Sequence, residues 1–301
     1  MKTVIQLAGF VFIFILALSF CVRATVGKTP KADTTAAIAQ FEDSPVPQFL
    51  LSTTTPISAD AALLTYVDSK GPHVVFAQNE DKIEFIASVT KLVTAIIATN
   101  DVPNISFTIS TSTLKKVGAI KKFLPGATYN KDVLISALLV ESNNDAAWTF
   151  ADNLGVDQFV QRMNDTAHEI GMTNSTFGNP VGLDPQGDIK ANTSTAHDLT
   201  LLASYLYSNY KNVLDITRMK SAIISDVSGK NTYVASSTDQ LLSENIPAIT
   251  ILGGKTGETP QAAKNLLLIF KNENFSGYFV SVVLNSKDNF GDTKVLIGGI
   301  K

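Results

Sequence analysis

The sequence predicts a mixed α/β (α+β) fold in which strands from both ends of the chain form one sheet. In the first third of the chain, AALLTYVDS and HVVFAQN have the pattern of two strands, joined by a turn at Gly71-Pro72. Toward the C-terminus, three more segments have strand composition: ITILGGK, KNLLLIFKN and GYFVSVVLN. Helical patterns fill the interval between these two groups, so strands that are distant in sequence are expected to share the sheet.

The helical interval is indicated by apolar residues that recur with a period of about 3.6 residues. The predicted helices cover residues 87–99, 131–141, 144–153, 156–170 and 195–207, and a last short helix runs from Asp292 onward. In the final predicted strand, VSVVLN is almost continuously apolar. Such a segment is expected in the middle of a sheet that is covered on both faces.

Composition argues against several classes of function. The chain has 301 residues, of which 45% are apolar and 17% are charged, enough for one large domain or two modest ones. The net charge of −3 and the lack of basic tracts argue against nucleic acid as a partner. The single cysteine, Cys21, excludes a disulfide framework within the chain and a cysteine-based zinc site. The histidines lack metal-ligand spacing, so we expect no metal and no other cofactor.

The N-terminus predicts export from the cytoplasm. Residues 4–22 follow Lys2, carry no charge and are long enough to span a bilayer. This length favours an uncleaved membrane anchor, whereas Val22-Arg23-Ala24 offers a weak cleavage site for a signal peptide. Both interpretations stay open. A lipid-modified cysteine is disfavoured because a bulky phenylalanine precedes it, and a buried hairpin in a soluble fold is the least favoured alternative.

These observations divide the chain into three parts. Residues 1–24 form a signal peptide or N-terminal membrane anchor, and residues 25–54 form a flexible linker rich in Thr, Ala and Pro. Residues 55–301 form an extracytoplasmic domain, whose place in the cell envelope follows from the export signal.

A lysine lies inside the apolar segment EFIASVTKLVTA. Lys91 follows Ser88 by three residues, so both side chains lie on one face of the predicted helix. Burial disfavours the charged ammonium and lowers the pKa of a lysine. A neutral amine can take the proton of a neighbouring hydroxyl, which predicts a serine nucleophile with a lysine base. The pattern S-x-x-K also arises by chance, and a lysine can extend from a helix end to solvent, so the pair needs further support.

Two further motifs supply that support. ESNNDAAW places Ser142 and Asn144 between two predicted helices, and Lys255-Thr256-Gly257 follows at the end of an apolar strand. S-x-N alone is common. The order S-x-x-K, S-x-N and K-T-G is typical of penicillin-binding proteins and class A β-lactamases.

From about residue 55 to its end, the chain resembles the low-molecular-mass penicillin-binding proteins, the serine D-alanyl-D-alanine carboxypeptidases of bacterial cell-wall maturation. Besides the three motifs, the similar segments are FLPGATYNKDVLISALLVESNNDAA, MNDTAHEIGMTNSTFGNPVGLD and STAHDLTLLA. The resemblance implies a β-lactamase-like transpeptidase fold, with a central, mainly antiparallel sheet flanked by helices and a helical subdomain. The chain ends soon after its last predicted helix, so we expect no C-terminal β-domain of the kind that many relatives carry.

The resemblance also implies the chemistry of the site. Ser88 attacks the carbonyl of the penultimate D-Ala and forms an acyl-enzyme, with Lys91 as the general base. Ser142 and Lys255 relay a proton to the leaving D-Ala and keep the pKa of Lys91 low. Asn144 hydrogen-bonds the substrate peptide or Lys91.

Substrate binding is expected along the strand from Lys255 to Gly257, which pairs with the extended substrate. Thr256 contacts the substrate carboxylate, and the backbone N–H groups of Ser88 and Glu258 form the oxyanion hole. The activity that the resemblance implies is a serine-type D-alanyl-D-alanine carboxypeptidase that trims peptidoglycan stem peptides. β-Lactam antibiotics are expected to acylate the same serine.

Two departures from the family pattern leave the specificity open. Glu258 follows K-T-G where the family often has an aromatic or small residue, and an inward carboxylate would repel an anionic substrate terminus. No arginine follows the last central strand, where some carboxypeptidases use one to hold the terminal carboxylate, and Lys287 is the nearest cation. Lysine lacks the bidentate fork of arginine. DD-endopeptidase action on wall cross-links is therefore the alternative.

Two other functions agree less well with the sequence: a class A β-lactamase and a non-catalytic protein. A class A β-lactamase needs a glutamate between S-x-N and K-T-G to activate water, and the glutamates in that interval are Glu169 and Glu244. Glu169 falls in a predicted helix and lacks an E-x-x-x-N context, which disfavours a β-lactamase. A non-catalytic wall-binding protein of the same fold is disfavoured because the residues of all three motifs are intact: Ser88, Lys91, Ser142, Asn144 and Lys255.

Overall fold

The computed structural model describes residues 46–50, 56–116, 118, 120 and 122–301. Within them, the strands are β1 (Ala61–Asp68), β2 (Gly71–Gln78), β3 (Glu84–Phe85), β4 (Ser106–Thr108), β5 (Thr128–Asn130), β6 (Thr193–Ser194), β7 (Ser221–Ser225), β8 (Thr232–Ser236), β9 (Ile249–Thr259), β10 (Ala263–Asn272) and β11 (Tyr278–Ser286). The helices are α1 (Lys91–Asn100), α2 (Lys131–Val140), α3 (Asn144–Leu154), α4 (Val156–Ile170), α5 (Ala196–Asn209), α6 (Lys211–Thr217) and α7 (Asn289–Gly298).

A five-stranded antiparallel sheet in the order β2-β1-β11-β10-β9 joins the two ends of the chain. This arrangement confirms the predicted fold class. β11 lies in the middle of the sheet and is buried along nearly its whole length. β9 carries the K-T-G motif and lies at the edge. An edge strand presents backbone N–H and C=O groups to which a further extended chain can add.

Apolar cores cover both faces of this sheet. Along β10, Leu267 and Ile269 belong to the core shared with the helices that precede the C-terminal strands, whereas Leu266, Leu268 and Phe270 belong to the opposite core, shared with α7. This alternation follows the two-residue period of a strand. Full burial of one leucine contributes about 2 kcal/mol, so a slip of one residue would exchange the two sets of contacts and is strongly disfavoured.

α1 is buried along almost its whole length. Every residue from Lys91 to Ala98 is buried. A helix that is apolar all round lies in the interior of a fold. The lysine at its first position therefore lies in surroundings that offer few polar partners.

The structure corrects the bounds of several predicted elements. The turn between β1 and β2 lies at Ser69-Lys70, and Gly71-Pro72 already begin β2. The first predicted helix begins as a 3₁₀ turn over Ala87–Thr90, which precedes α1. α7 begins at Asn289, three residues before the predicted start, because the side chain of Asp288 caps it.

α6 and the β7–β8 hairpin lie in a region where the sequence pattern predicts no element. α6 has 7 residues, which is too short for a helical period to emerge. Each hairpin strand has 5 residues, and the outward position at its centre carries an apolar side chain: Ile223 is 71% exposed and its cross-strand partner Val234 is 65% exposed. Without polar residues at these central outward positions, the two-residue alternation of a half-buried strand does not appear.

Residues 46–50 lie inside the stretch that the sequence assigns to the linker. Phe49 forms a β-bridge with Ile300, and the backbone N–H groups of Gln48 and Lys301 donate to each other's carbonyl oxygens at 3.0 and 2.9 Å. This short segment therefore packs against the end of the domain. Residues 4–22 lie outside the described residues. Within the described part, none of the helices has both the length and the apolar character that a bilayer crossing requires.

Candidate active site

Ser88 lies in the turn that leads from β3 into α1. The preceding residue, Ala87, has a φ of 47°, in the left-handed region that few non-glycine residues adopt. Two glycines from distant segments pack on this turn. A Cβ atom on Gly182 would collide with the carbonyl oxygen of Ala87, and one on Gly257 would lie 3.0 Å from Ser88 N. The missing side chains therefore allow a loop and the K-T-G strand to approach the serine closely.

The amine of Lys91 contacts the hydroxyl of Ser88. Lys91 Nζ lies 2.7 Å from Ser88 Oγ and donates to the carbonyl oxygen of Val181 at 2.9 Å. The lysine side chain is fully buried. Burial, and after it the positive charge of Lys255, holds the pKa of Lys91 well below its ordinary value of 10.5. These surroundings favour the neutral amine, which can accept the proton of the hydroxyl.

An asparagine-anchored loop holds the carbonyl group that contacts Lys91. Asn179 Oδ1 accepts hydrogen bonds of 2.7 to 3.1 Å from three consecutive backbone N–H groups, those of residues 181–183. The side-chain amide of Asn192 then ties this loop to the nucleophile turn, because it donates to Asn179 O and to Thr90 Oγ1 at 2.8 and 2.9 Å. The position of Val181 O is thus fixed by side chains as well as by the backbone.

Lys255 reaches the site from β9 and is 2% exposed. Its Nζ donates to the carbonyl oxygen of Thr256 at 3.0 Å. Burial lowers the pKa of Lys255 to about 7, and the carboxylate of Asp239 opposes that shift. Near neutral pH this amine can therefore both hold and release a proton, as a proton relay requires.

Ser142 lies between α2 and α3, and its buried hydroxyl has no hydrogen-bond partner among the described residues. Its φ of 60° is left-handed, a conformation that costs about 1 to 3 kcal/mol. The preceding side chain anchors the turn, because Glu141 Oε1 accepts from the Asn143 amide at 2.7 Å and from the Tyr233 hydroxyl at 2.5 Å. Buried hydroxyls without a partner are uncommon, and this one is available to pass a proton.

Asn144 contacts a group that the sequence did not predict. Its Nδ2 donates to Gly118 O at 2.7 Å, and no hydrogen bond within the described residues joins it to Lys91. A Cβ atom on Gly118 would lie 2.7 Å from Leu183 Cδ2. Asn144 therefore links the loop at residue 118 to the loop that follows Val181. Its contact with a substrate peptide stays a prediction.

The three residues predicted to bind substrate lie along the edge strand. Thr256 is half-buried, and its Oγ1 lies 2.6 Å from Thr238 Oγ1. Gly257 packs on the nucleophile turn. Glu258 is exposed, and the antiparallel register places it opposite Lys264 of β10. A charge that is exposed to water is screened, so Glu258 has less influence on the buried amines than its place beside K-T-G suggests.

The structure adds two buried polar residues that sequence reasoning missed. Asn192 and Asp239 lie outside the three motifs, and no spacing rule points to either. Asn192 is 2% exposed and Asp239 is 7% exposed. Their roles follow from the tertiary structure. Asn192 anchors the loop over Lys91, and the charge of Asp239 raises the pKa of Lys255.

The two glutamates of the β-lactamase hypothesis, both within the described ranges, form no hydrogen bond or ion pair with the buried amines. Glu169 is exposed on α4. Glu244 is exposed and pairs with Lys294 of α7 at 3.1 Å. Neither therefore has the buried contacts that a base for water attack needs.

Known proteins of one enzyme family are similar to this chain in sequence. The family model described as D-alanyl-D-alanine carboxypeptidase matches residues 50–288. A D-alanyl-D-alanine endopeptidase of Haemophilus influenzae is 29% identical over 230 residues, which cover 74% of this chain and 75% of the relative. A D-alanyl-D-alanine carboxypeptidase of Mycobacterium tuberculosis is 38% identical over 144 residues, which cover 48% of this chain and 47% of the relative.

A solved structure supports the same assignment. Penicillin-binding protein D2 of Listeria monocytogenes, in its ampicillin-bound form, superposes with a TM-score of 0.68 at 30% identity. The superposition covers 82% of this chain and 98% of that protein.

Proposed function

This chain belongs to the D-alanyl-D-alanine carboxypeptidase family of penicillin-binding serine hydrolases, and we propose that it removes the terminal D-Ala from peptidoglycan stem peptides through an acyl-enzyme on Ser88. A family that acts on peptidoglycan works outside the cytoplasm. The observation that carries the proposal is the 2.7 Å contact between Ser88 Oγ and the amine of the fully buried Lys91.

Acylation begins with a proton transfer from Ser88 to neutral Lys91. As the proton leaves, Ser88 Oγ bonds to the carbonyl carbon of the penultimate D-Ala. The backbone N–H groups of Ser88 and Glu258 stabilise the oxyanion, and the close packing of Gly257 on Ser88 N supports this pairing of the two donors. Loss of one such donor costs about 3–4 kcal/mol in comparable sites.

The leaving D-Ala needs a proton on its amine as the C–N bond breaks. The buried hydroxyl of Ser142 and the amine of Lys255 offer the route by which the proton on Lys91 reaches that nitrogen. Water then hydrolyses the ester, and its proton returns through the same groups. This last step frees Ser88 and restores the neutral base.

The protonation states that this sequence of steps requires follow from the surroundings of the two lysines. Lys91 must start neutral, which burial and the charge of Lys255 favour. Lys255 must start protonated, and its pKa of about 7 allows this state below neutral pH. We therefore expect a bell-shaped dependence of the rate on pH, with its alkaline side governed by Lys255.

Substrate docking uses β9, which is an edge strand of the sheet among the described residues. An extended stem peptide adds there as a further strand, through backbone hydrogen bonds. In this proposal the hydroxyl of Thr256, which lies 2.6 Å from that of Thr238, contacts the substrate carboxylate.

DD-endopeptidase action on wall cross-links is the second candidate. The Haemophilus influenzae relative is named as an endopeptidase. The first cation after β11 is Lys287, which is exposed and lacks the bidentate fork of arginine. A site with a weaker hold on a terminal carboxylate tolerates peptides that continue beyond the second D-Ala.

Membrane attachment is a separate part of the proposal and depends on residues 4–22. Their apolar composition supports either an anchor or a signal peptide that is removed. Intact mass of the chain recovered from the cell envelope distinguishes these outcomes, because cleavage near Ala24 removes the apolar segment.

Release of D-Ala from a stem pentapeptide that ends in D-Ala-D-Ala tests the proposed activity. We expect release by the wild type and a loss of about 10³-fold or more in Ser88→Ala. Ser69→Ala, which changes an exposed serine in the β1–β2 turn, is the matched control and keeps the activity.

A cross-linked muropeptide dimer separates the two candidates. Cleavage of the dimer with little D-Ala release would favour the endopeptidase. Failure to process either substrate, by a protein whose circular dichroism shows it to be folded, would overturn both and favour a wall-binding function.

A further inference from the structure

Asp239 is a buried carboxylate that the mechanism above does not use. It is 7% exposed and precedes the 3₁₀ turn over Gln240–Ser243. Its Oδ1 accepts a hydrogen bond from the N–H of Leu241 at 3.0 Å. Buried carboxylates are uncommon unless a partner compensates for the lost solvation, and one backbone hydrogen bond is a small compensation.

The segment that carries Asp239 rests on the catalytic elements. The hydroxyl of Thr238 lies 2.6 Å from that of Thr256, next to Lys255 on β9. The backbone N–H of Thr238 donates to Val140 O at 3.3 Å, at the end of α2, two residues before Ser142. These two contacts hold Thr238, the residue before Asp239, against the strand that carries Lys255 and close to the turn that carries Ser142.

We propose that Asp239 is a positioning residue that favours the protonated state of Lys255 before acylation and thereby favours the neutral amine of Lys91. The inference rests on the proposed function and deepens it. It adds a third ionisable position to the relay, beside Lys91 and Lys255, and one that lies outside the three motifs.

The charges around the pair support this assignment. Burial is the largest cause that acts on Asp239 and raises the pKa of its carboxyl to about 6. The cation Lys255 of β9 lowers this pKa, and the anion Glu244 of the same segment raises it. Asp239 in turn raises the pKa of Lys255, which burial would otherwise lower further than about 7. At neutral pH the carboxylate is therefore mostly ionised while the amine is close to half protonated.

A purely structural role for Asp239 makes a different prediction. Its hydrogen bond to Leu241 N needs only an acceptor oxygen, which asparagine also supplies. Asp239→Asn therefore keeps the cap of the 3₁₀ turn and removes the charge. If the charge of Asp239 matters, Asp239→Asn shifts the pH profile of the labelling rate. If only the structural role matters, the variant does not shift that profile.

The experiment measures the rate at which a fluorescent penicillin labels the full 301-residue chain in detergent, from about pH 5 to about pH 9. Without the negative charge, the pKa of Lys255 falls, so the alkaline limb moves to lower pH by about one unit. The labelling rate should then fall about tenfold near pH 8.5 and less than about twofold near pH 5. The acid limb, which Lys91 governs, should stay in place.

Glu244→Gln is the matched control. It removes an exposed carboxylate from the end of the same segment, where solvent screens the charge, and should leave the profile of the wild type unchanged. Asp239→Glu, if folded, should retain the alkaline limb of the wild type.

The outcomes separate this inference from the proposed function. An Asp239→Asn profile with the wild-type limbs, whether at full or uniformly reduced rate, would overturn the role of Asp239 and leave the proposed function intact. A wild-type protein that is folded and takes no label would overturn the proposed function itself.

Discussion

Lys91 and Lys131 are both buried lysines at the first position of a helix, yet they lie in opposite electrostatic surroundings. Burial lowers the pKa of both. Lys131 Nζ donates to Thr99 O and Val102 O at 3.0 and 2.6 Å, at the carboxyl end of α1. Lys91 Nζ contacts one carbonyl group and the hydroxyl of Ser88.

The difference shows that burial alone does not make a lysine a base. The carbonyl groups at the end of α1 carry the negative end of the helix dipole and stabilise a positive charge, and Asp132 raises the pKa of Lys131. Around Lys91 the neighbouring charge is the cation Lys255, which lowers the pKa further. One lysine is therefore held as a structural cation, and the other is poised to be neutral beside a hydroxyl.

Removal of the amine at Lys91 should have the largest effect. Lys91→Met keeps an unbranched apolar side chain and removes the base, so acylation by a fluorescent penicillin should fall about 10³-fold. The fold should persist, because methionine fills the same buried space, although Val181 O loses its donor at a cost of about 1–3 kcal/mol. Labelling rate and thermal unfolding of the same sample measure the two effects. A variant that is labelled as fast as the wild type would exclude Lys91 as the base.

Removal of the hydroxyl at Ser142 should have the next largest effect. The hydroxyl makes no hydrogen bond to the described residues, so Ser142→Ala breaks no hydrogen bond of that side chain and leaves no partner unpaired. Loss of a proton relay should slow D-Ala release by about 10²-fold, with little change in stability. A drop in thermal stability with an unchanged rate would assign the residue to the fold alone.

Removal of the amine at Lys131 should affect stability and spare the chemistry. Lys131→Met leaves the carbonyl oxygens of Thr99 and Val102 without their donor, which should lower the free energy of unfolding by about 1–3 kcal/mol. Denaturant titration measures this loss, and penicillin labelling of the folded variant should match the wild type. Slower labelling of the folded variant would show that the two lysines are not independent.

The sequence identified the reacting groups better than it identified their supports. Ser88 and Lys91 lie three residues apart, so their proximity follows from helix geometry. The proximity of Lys255 is an expectation that the resemblance to the family implies. The place of β9 at the edge of the sheet depends on the order of the strands. That order is known only once the pairing of β9 with β10 and of β10 with β11 is known.

The supporting groups depend on contacts between segments far apart in sequence. Asn192 reaches Thr90 across 102 positions, and Asn144 reaches Gly118 across 26. The sequence does not indicate which asparagine of a loop will be buried. Asn192 is buried, its side-chain oxygen accepts two hydrogen bonds and its side-chain nitrogen donates two. The same holds for Asp239, whose significance lies in its burial beside Lys255 and not in the residues that flank it.

The central claim is that the surroundings of Lys91 lower the pKa of its amine and so favour the neutral base beside Ser88. NMR of the folded protein with ¹³C-labelled lysine side chains tests it directly, since the Cε resonance reports the protonation of each amine, and loss of a signal in Lys91→Met assigns it. We expect the Lys91 resonance to titrate well below the ordinary lysine pKa of 10.5. Titration of Lys91 at that ordinary value, in a protein that is folded throughout, would contradict the claim.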